Sequence, residues 1–272
     1  MSNEENKKIK DGIKSTFDDV AKSYDKNKQF VISAKKMLEF IEINNENINI
    51  LDLSTGTGNI AIELGKKFPN ANIYGVDISD EMLNIARKKT KDENLKNITY
   101  QLQDVENLEF DNMQFDLITC GYGLFFYPNM DKVFCDVCSK LKIGGKFVFS
   151  TFNENAFQPY SKIFLDMLES NYGIKPPNSI EKRQLTSKDE IIEFSCQVKY
   201  KNLDVNDIDI RFPMSVKEWW ELLNSTGYQG LLTQLNNDYS KFENEYIEHL
   251  KTLSDDDHIE FNADSFISVV SI

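Results

Sequence analysis

Between Ile48 and Thr151 the apolar positions change rhythm repeatedly, from short continuous or alternating runs to spacings of three and four. Ile48, Ile50, Leu51 and Leu53 make a run that closes at Asp52-Leu53, as a buried parallel strand does. After the polar, glycine-bearing stretch Ser54-Thr55-Gly56-Thr57-Gly58-Asn59, Ile60, Ala61, Leu64 and Phe68 fall on one helical face. Pro69-Asn70 punctuates, and Ile73, Tyr74 and Val76 predict a second strand ending at Asp77. Ser79 is a suitable N-cap for a helix with Asp80 and Glu81 in its first turn, Met82, Leu83 and Ala86 inward, and Arg87, Lys88 and Lys89 at its end. Ile98, Tyr100 and Leu102 alternate with polar residues up to Asp104, and Phe115 to Cys120 is a fourth strand. A helix over Asp131 to Lys142, stopped by Gly144-Gly145, leads to a fifth strand, Lys146 to Thr151. Strands alternating with helices imply an α/β fold on a parallel sheet.

Both flanks read differently. Ile9, Ile13, Phe17, Val20, Ala21 and Tyr24 form one stripe of an N-terminal helix, although Asp11-Gly12 weakens its start. Val31, Ala34, Met37, Leu38 and Ile41 mark a second helix, and Asn44-Asn45-Glu46-Asn47 links it to the first strand. From Phe152 the regular alternation breaks. Helices are predicted over Ala156 to Tyr172, Ser187 to Phe194, Val216 to Asn224 (capped by Ser215 and carrying Trp219-Trp220) and Asn244 to Leu253. A loop covers Gly173 to Asn178, with Pro176-Pro177 inside it. A polar strand, Gln197 to Phe212, bends at Asp204 to Asp207, and Phe266 to Ile272 is a final strand. With no repeat and no low-complexity linker, residues 1–272 are expected to form a single domain: a helical cap over 1–47, a core over 48–151, and a second cap with C-terminal strands over 152–272.

Composition narrows the function. A chain of 272 residues, 40% hydrophobic, can build its core without disulfide or metal. A net charge of −13 and arginine only at positions 87, 183 and 211 disfavour nucleic-acid partners, which need basic patches. Cys135-x-x-Cys138 lacks a second pair, and Cys138 shares a face with Phe134, Val137 and Leu141, which is a core pattern. His249 and His258 are far in sequence from the cysteines, so no metal is expected. No stretch reaches ~18 consecutive apolar residues, and the polar N-terminus suits neither export nor anchoring, so a reducing cytoplasm fits.

The chemistry concentrates at the ends of the first strands. A glycine loop feeding a helix N-terminus offers backbone N–H groups, and Asp77, closing the next strand, can accept from both hydroxyls of a ribose. The layout suits a nucleoside. Gly56-x-Gly58-x-x-Ala61 also satisfies the dinucleotide fingerprint, which keeps an NAD-dependent oxidoreductase open. Asp52 argues the other way, since a charge there opposes pyrophosphate but suits an ammonium.

The stretch from Ile48 to Met82 resembles motif I of the class I S-adenosylmethionine-dependent methyltransferases, a strand ending in Asp followed by a G-x-G-x-G loop. It departs from that pattern at Ser54, where the family usually has its first glycine. Phe17-x-x-x-Ala21-x-x-Tyr24-Asp25 resembles the segment that precedes the core in small-molecule members, including the ubiquinone/menaquinone-biosynthesis type. Asp104-Val105 resembles the position that meets adenine. Gly121-Tyr122 opens the loop that in the family lies beside the sulfonium, and Phe-Pro-x-Ser-x-x-x-Trp-Trp at 212–220 resembles the tails of the same superfamily. The resemblance is good over 17–151. It implies a Rossmann-like, seven-stranded, mostly parallel sheet with helices on both faces and the last strand antiparallel. The implied cofactor is S-adenosyl-L-methionine, leaving as S-adenosyl-L-homocysteine.

The cofactor residues so implied are Tyr24 from the N-terminal segment, Asp52, Ser54, Thr55, Gly56, Gly58 and Asn59 around the first loop, and Asp77, Ile78 and Met82 after the second strand. Asp104, Val105, Gly121 and Tyr122 complete the set. On the residues alone, Tyr24 could equally close a packed helix, Asp104 could be an acidic turn residue, and Phe125 or Phe126 reads better as packing. Transfer from a sulfonium is an in-line displacement that alignment and desolvation promote, and a base is needed only for acceptors that lose a proton. No catalytic residue is assigned. His258 would be considered only if the terminal segment folds over the cleft. The expected partner is a small-molecule methyl acceptor, and a methyltransferase-like protein that binds without turnover is the non-enzymatic alternative.

Overall fold

A computed structural model describes residues 3–45, 47–175, 185–226 and 228–272. The chain divides into two compact units, Met1–Phe152 with Gln184–Ile208 and Ser265–Ile272, and Asn153–Arg183 with Asp209–Asp264.

In the first unit, α1 (Asn3–Val20) runs into a 3₁₀ turn, Ala21–Lys26, and α2 (Lys28–Met37) follows. The βα alternation then proceeds through β1 (Asn49–Leu53), α3 (Asn59–Lys67), β2 (Asn72–Asp77), α4 (Asp80–Asp92), β3 (Ile98–Leu102), β4 (Phe115–Gly121), α5 (Met130–Ser139) and β5 (Leu141–Phe152). As anticipated, Ser79 caps α4 by accepting from the Met82 N–H at 3.1 Å. Helix α5 ends three residues earlier than its periodicity suggested. Leu141 already pairs with Phe115, and Gly144-Gly145 lies inside β5, where the Gly144 N–H donates to Ile272 O and Gly145 O accepts from the Ile272 N–H. Those glycines serve the sheet and do not end the helix.

After an excursion into the second unit come α7 (Lys188–Ser195), capped by Ser187, and β6 (Asn202–Ile208), and the unit closes with β9 (Ser265–Ser271). The sheet order is β3-β2-β1-β4-β5-β9-β6, seven strands. β1 to β5 are mutually parallel, and β9, antiparallel to both β5 and β6, is the one reversed strand. On one face of the sheet Phe134, Val137 and Cys138 of α5 pack with Phe147, Phe149 and Phe194, all buried.

The second unit holds α6 (Tyr160–Tyr172), β7 (Arg211–Ser215), α8 (Val216–Asn224), α9 (Gln229–Leu232), α10 (Tyr239–Lys251) and β8 (His258–Asn262). α6 begins at Tyr160 rather than Ala156, after a cis Gln158-Pro159 bond. Gly173 closes it in the left-handed conformation, but the loop expected around Pro176-Pro177 lies outside the described residues. The single bent strand expected over Gln197 to Phe212 is two strands. β6 joins the main sheet and β7 pairs with β8, a strand the periodicity missed. The break falls at Asp209-Ile210, where the Ile210 N–H and the neighbouring Arg211 Nε both donate to the carboxylate of Asp264. Ser215 caps α8 through a reciprocal pair with Glu218, and α10 starts five residues before the expected Asn244.

Candidate functional site

The loop after β1 is wound from left-handed residues. Ser54 sits at φ +47°, Gly56 at +55° and Gly58 at +79°. Left-handed backbone costs a non-glycine residue free energy, so the position where Ser54 departs from glycine is one where glycine would be at ease. Two backbone bonds hold the turn, Thr55 N–H to Val76 O at 2.9 Å and Gly58 N–H to Thr55 O at 2.8 Å. Beneath it Asp52 is fully buried. Its Oδ2 accepts from Thr55 Oγ1 and its Oδ1 from Thr119 Oγ1, each at 2.6 Å. Burial pushes its carboxyl up to about 6, against the lowering effect of the Thr119, Thr55 and Ala61 donors.

A cavity opens beside this loop, at the carboxyl ends of the parallel strands. Ten of the anticipated cofactor residues line it: Tyr24, Ser54, Gly56, Asp77, Ile78, Met82, Asp104, Val105, Gly121 and Tyr122. The other four do not, and each has a structural employment. Asp52 and Thr55 bond to each other under the loop. A Cβ on Gly58 would come within 2.6 Å of the Tyr100 hydroxyl, so that glycine admits a protein ring and not a ligand. Asn59 donates to Asp25 at 3.1 Å and accepts from Lys89 at 2.7 Å.

Asp77 is the best-organised acid in the cavity. Its Oδ2 accepts from the Gly56 N–H and its Oδ1 from the Ser79 N–H, both at 2.9 Å. Burial still lifts its carboxyl above the usual range, and these backbone donors only offset that. Each carboxylate oxygen has a further lone pair to offer. Asp104 has more partners. Lys10 of α1 reaches its Oδ2 at 2.5 Å and Glu106 at 3.2 Å, while the Glu106 N–H donates to its Oδ1 at 3.0 Å. Burial presses the Asp104 carboxyl upward, but the Lys10 ammonium and the Glu106 N–H hold it below its ordinary value.

The remaining wall is aromatic. Tyr24 stacks on Phe30 with centroids 4.9 Å apart, Phe30 meets Tyr122 edge-on at 5.5 Å, and Tyr122 stacks on Phe152 at 4.3 Å. Phe17 meets Phe126 edge-on at 5.3 Å. Burial raises the Tyr24 hydroxyl well above its usual range, helped by Asp77 and Asp25, and that hydroxyl has no hydrogen-bond partner among the described residues. Tyr122 lies at φ +53°, a strained conformation of the kind found at functional sites.

Sequence reasoning missed Lys10, Gln103, Glu106, Gly123, Tyr127 and Pro128, and it assigned Phe126 to packing, whereas that ring is 38% exposed and lines the cavity. The signal for Lys10 was available, an ammonium on the stripe side of a helix already expected to cover the site. That for Tyr127 was not. Its hydroxyl lies 2.7 Å from Ser54 Oγ, a partnership across 73 positions. His258 sits exposed at the start of β8, its Nδ1 2.7 Å from Asp256 O. Among the described residues no helix is long and apolar enough to cross a membrane.

These residues suit a nucleoside that carries a cation: an acid free to accept from hydroxyls, a second acid with an adjacent N–H, and ring faces that attract positive charge. The comparisons agree. A family described as a methyltransferase domain matches residues 44–209. The chain is 29% identical over 199 residues to a malonyl-[acyl-carrier protein] O-methyltransferase from Bacillus cereus, covering 72% of this chain and 71% of that one. It is 34% identical over 164 residues to the ubiquinone/menaquinone biosynthesis C-methyltransferase UbiE of Rickettsia bellii, covering 56% and 66%. Its fold matches that of Haemonchus contortus phosphoethanolamine N-methyltransferase 2 in complex with phosphomonomethylethanolamine and S-adenosylhomocysteine, with a TM-score of 0.53, 20% identity, and coverage of 88% of this chain and 52% of that one. NAD-dependent oxidation is thereby set aside: the chain belongs to the methyltransferase-domain family and is an enzyme that uses S-adenosyl-L-methionine.

Proposed function

We propose that this enzyme methylates a small molecule, and that the cavity beside the β1 loop is where donor and acceptor meet. The observation that carries the reading is the grouping, in one cleft, of the Asp77 and Asp104 carboxylates with a wall of tyrosine and phenylalanine rings. When bound, the cofactor supplies a methyl group on a positively charged sulfur.

Asp77, fixed by the Gly56 and Ser79 N–H groups, would accept from the ribose hydroxyls without having to reorient. Asp104 and the Val105 N–H would take the base edge, and Met82 and Ile78 would pack against its face. Tyr24, Tyr122, Phe126 and Tyr127 would exclude water from the reacting atoms and face the cation with their rings. No histidine, and no carboxylate without partners, lines the cavity among the described residues, so alignment and desolvation would carry the rate.

Calorimetric titration with S-adenosylmethionine and S-adenosylhomocysteine tests the site. Micromolar binding is expected, and Asp77→Asn should weaken it by about 3 kcal/mol, roughly a hundredfold, for two charge-assisted bonds. Unchanged affinity in a variant that unfolds at the wild-type temperature would remove Asp77 from the site. Tyr24→Phe should keep cofactor affinity within about twofold while lowering turnover, if the unpartnered hydroxyl faces the acceptor.

A further inference from the structure

Lys10 is the one ammonium or guanidinium among the described residues that line the cavity, and nothing in the proposed reaction uses it. It stands on α1, which also gives Ile13 and Phe17 to the lining. Its Nζ donates to Asp104 Oδ2 at 2.5 Å and lies 3.2 Å from Glu106 Oε2. Burial presses the ammonium toward losing its proton, but the two carboxylates outweigh it and raise the group above its ordinary value. Lys10 is therefore a cation at neutral pH, with three donors and no acceptor. Two of the donors serve the carboxylates, and the third is spare.

Both carboxylates are fixed by other partners. Glu106 Oε1 accepts from the N–H and the Nδ2 of Asn129 at 2.8 and 3.0 Å, and its Oε2 accepts from Asn6 Nδ2 at 2.8 Å. Asp104 Oδ2 accepts from Asn107 Nδ2 at 3.0 Å, and its Oδ1 from the Glu106 N–H at 3.0 Å. With Lys10 and Asn107 on it, Oδ2 has both lone pairs engaged. A purine amino group drawn to Asp104 thus contends with a donor already in place. A purine with an oxygen at position 6 meets the opposite case. Its carbonyl can accept the spare Lys10 donor, and its ring N–H can use the lone pair left on Asp104 Oδ1.

We infer that Lys10 is a specificity-determining residue of the nucleoside site, set against the 6-amino group of adenine and in favour of a 6-oxo group in the same place. This inference rests on the cavity being the cofactor site with the base at Asp104. The cost falls on cofactor affinity, and the gain is the attachment of α1, which Lys10 ties to the segment after β3.

Calorimetric titration of the whole protein with S-adenosylhomocysteine, and with its 6-oxo counterpart S-inosylhomocysteine, tests this in the wild type, Lys10→Met, Lys10→Ala and Lys14→Met. Methionine keeps the apolar stem and removes the charge. Lys14 pairs with Asp18 at 2.5 Å on the same helix and does not line the cavity, so its variant reports the loss of a positive charge on α1 alone. Lys10→Met should tighten S-adenosylhomocysteine by about fivefold and weaken S-inosylhomocysteine by about fivefold, a change of preference of about 25-fold. Lys10→Ala should shift the preference in the same direction, which keeps the test decisive should Lys10→Met fail to fold. Lys14→Met should leave the preference within about twofold of the wild type. A preference that stays within about twofold in the Lys10 variants, equal weakening of both nucleosides included, would overturn the inference and leave the cofactor site standing. So would a shift toward S-inosylhomocysteine, an equal shift in Lys14→Met, or S-inosylhomocysteine that binds none of the four proteins. Failure of both nucleosides to bind any of them would defeat the reading of the cavity itself, and the inference with it.

Discussion

Asp52 carries its charge where no water reaches it, and that has a measurable cost. Its carboxyl titrates near 6 in the folded chain, against an ordinary 3.8, because burial outweighs the two threonine hydroxyls and the Ala61 N–H. Between those values the folded chain holds a proton that the unfolded chain has released. Stability from this residue therefore falls as the pH rises from about 4 through 6, and stays low above. Relative to Asp52→Asn, the wild type should lose about 3 kcal/mol of unfolding free energy between pH 4 and pH 7, at about 1.4 kcal/mol per unit. Urea denaturation of both proteins across that range checks it, and parallel profiles would refute a raised Asp52. Asp104 has the opposite sign. Held below its ordinary value, it stabilises the fold at neutral pH and ceases to do so as acid protonates it. Asp52 was legible as an important acid but not as a loop girder, because its partner Thr119 lies 67 positions away on another strand.

At the level of elements, the hinge between loop and helix is Gly58. Its φ of +79° disfavours any side chain, and a Cβ there would meet Tyr100 Oη at 2.6 Å and Ala86 Cβ at 3.0 Å. Gly58→Ala should destabilise by about 2 kcal/mol through strain and overpacking, and Tyr100→Phe in that background should recover part of the loss. Thermal unfolding of the single and double variants decides it. No recovery would mean that Tyr100 is not the obstacle. The elements that could be read from sequence were those whose boundaries are made locally. Ser79, Ser187 and Ser215 each accept from an N–H three residues on, a signal contained in four positions. The parallel strands were readable because burial on both faces leaves near-continuous apolar runs. What escaped was set from a distance. Alternation in 197–212 runs straight across the point where Asp264, 54 positions later, claims the Ile210 N–H. Gly144 looked like a helix stop until the tail at Ile272 paired with it. Lys10 meets Asp104 across 94 positions.

For the molecule as a whole, the order of strands makes the C-terminus indispensable. β9 lies between β5 and β6, so its removal unpairs both neighbours at once. It also exposes the space filled by Phe266, Ile267, Val269 and Val270, all buried, at about 2 kcal/mol each. That sum is comparable with the whole net stability of an ordinary domain. A chain ending at Asp264 should show no cooperative melting by circular dichroism; a sharp transition would mean that β1 to β5 close without it.

The same strand order gathers the points where the chain leaves and re-enters the sheet. Phe152 pairs with Ser265, and Ser265 pairs with Ile208, so three of the crossings stand side by side in one row. Such a row is a splice junction. The segments of the second unit, Asn153–Arg183 and Asp209–Asp264, attach at that row, so an exchange of them made there leaves the paired residues of the sheet unaltered.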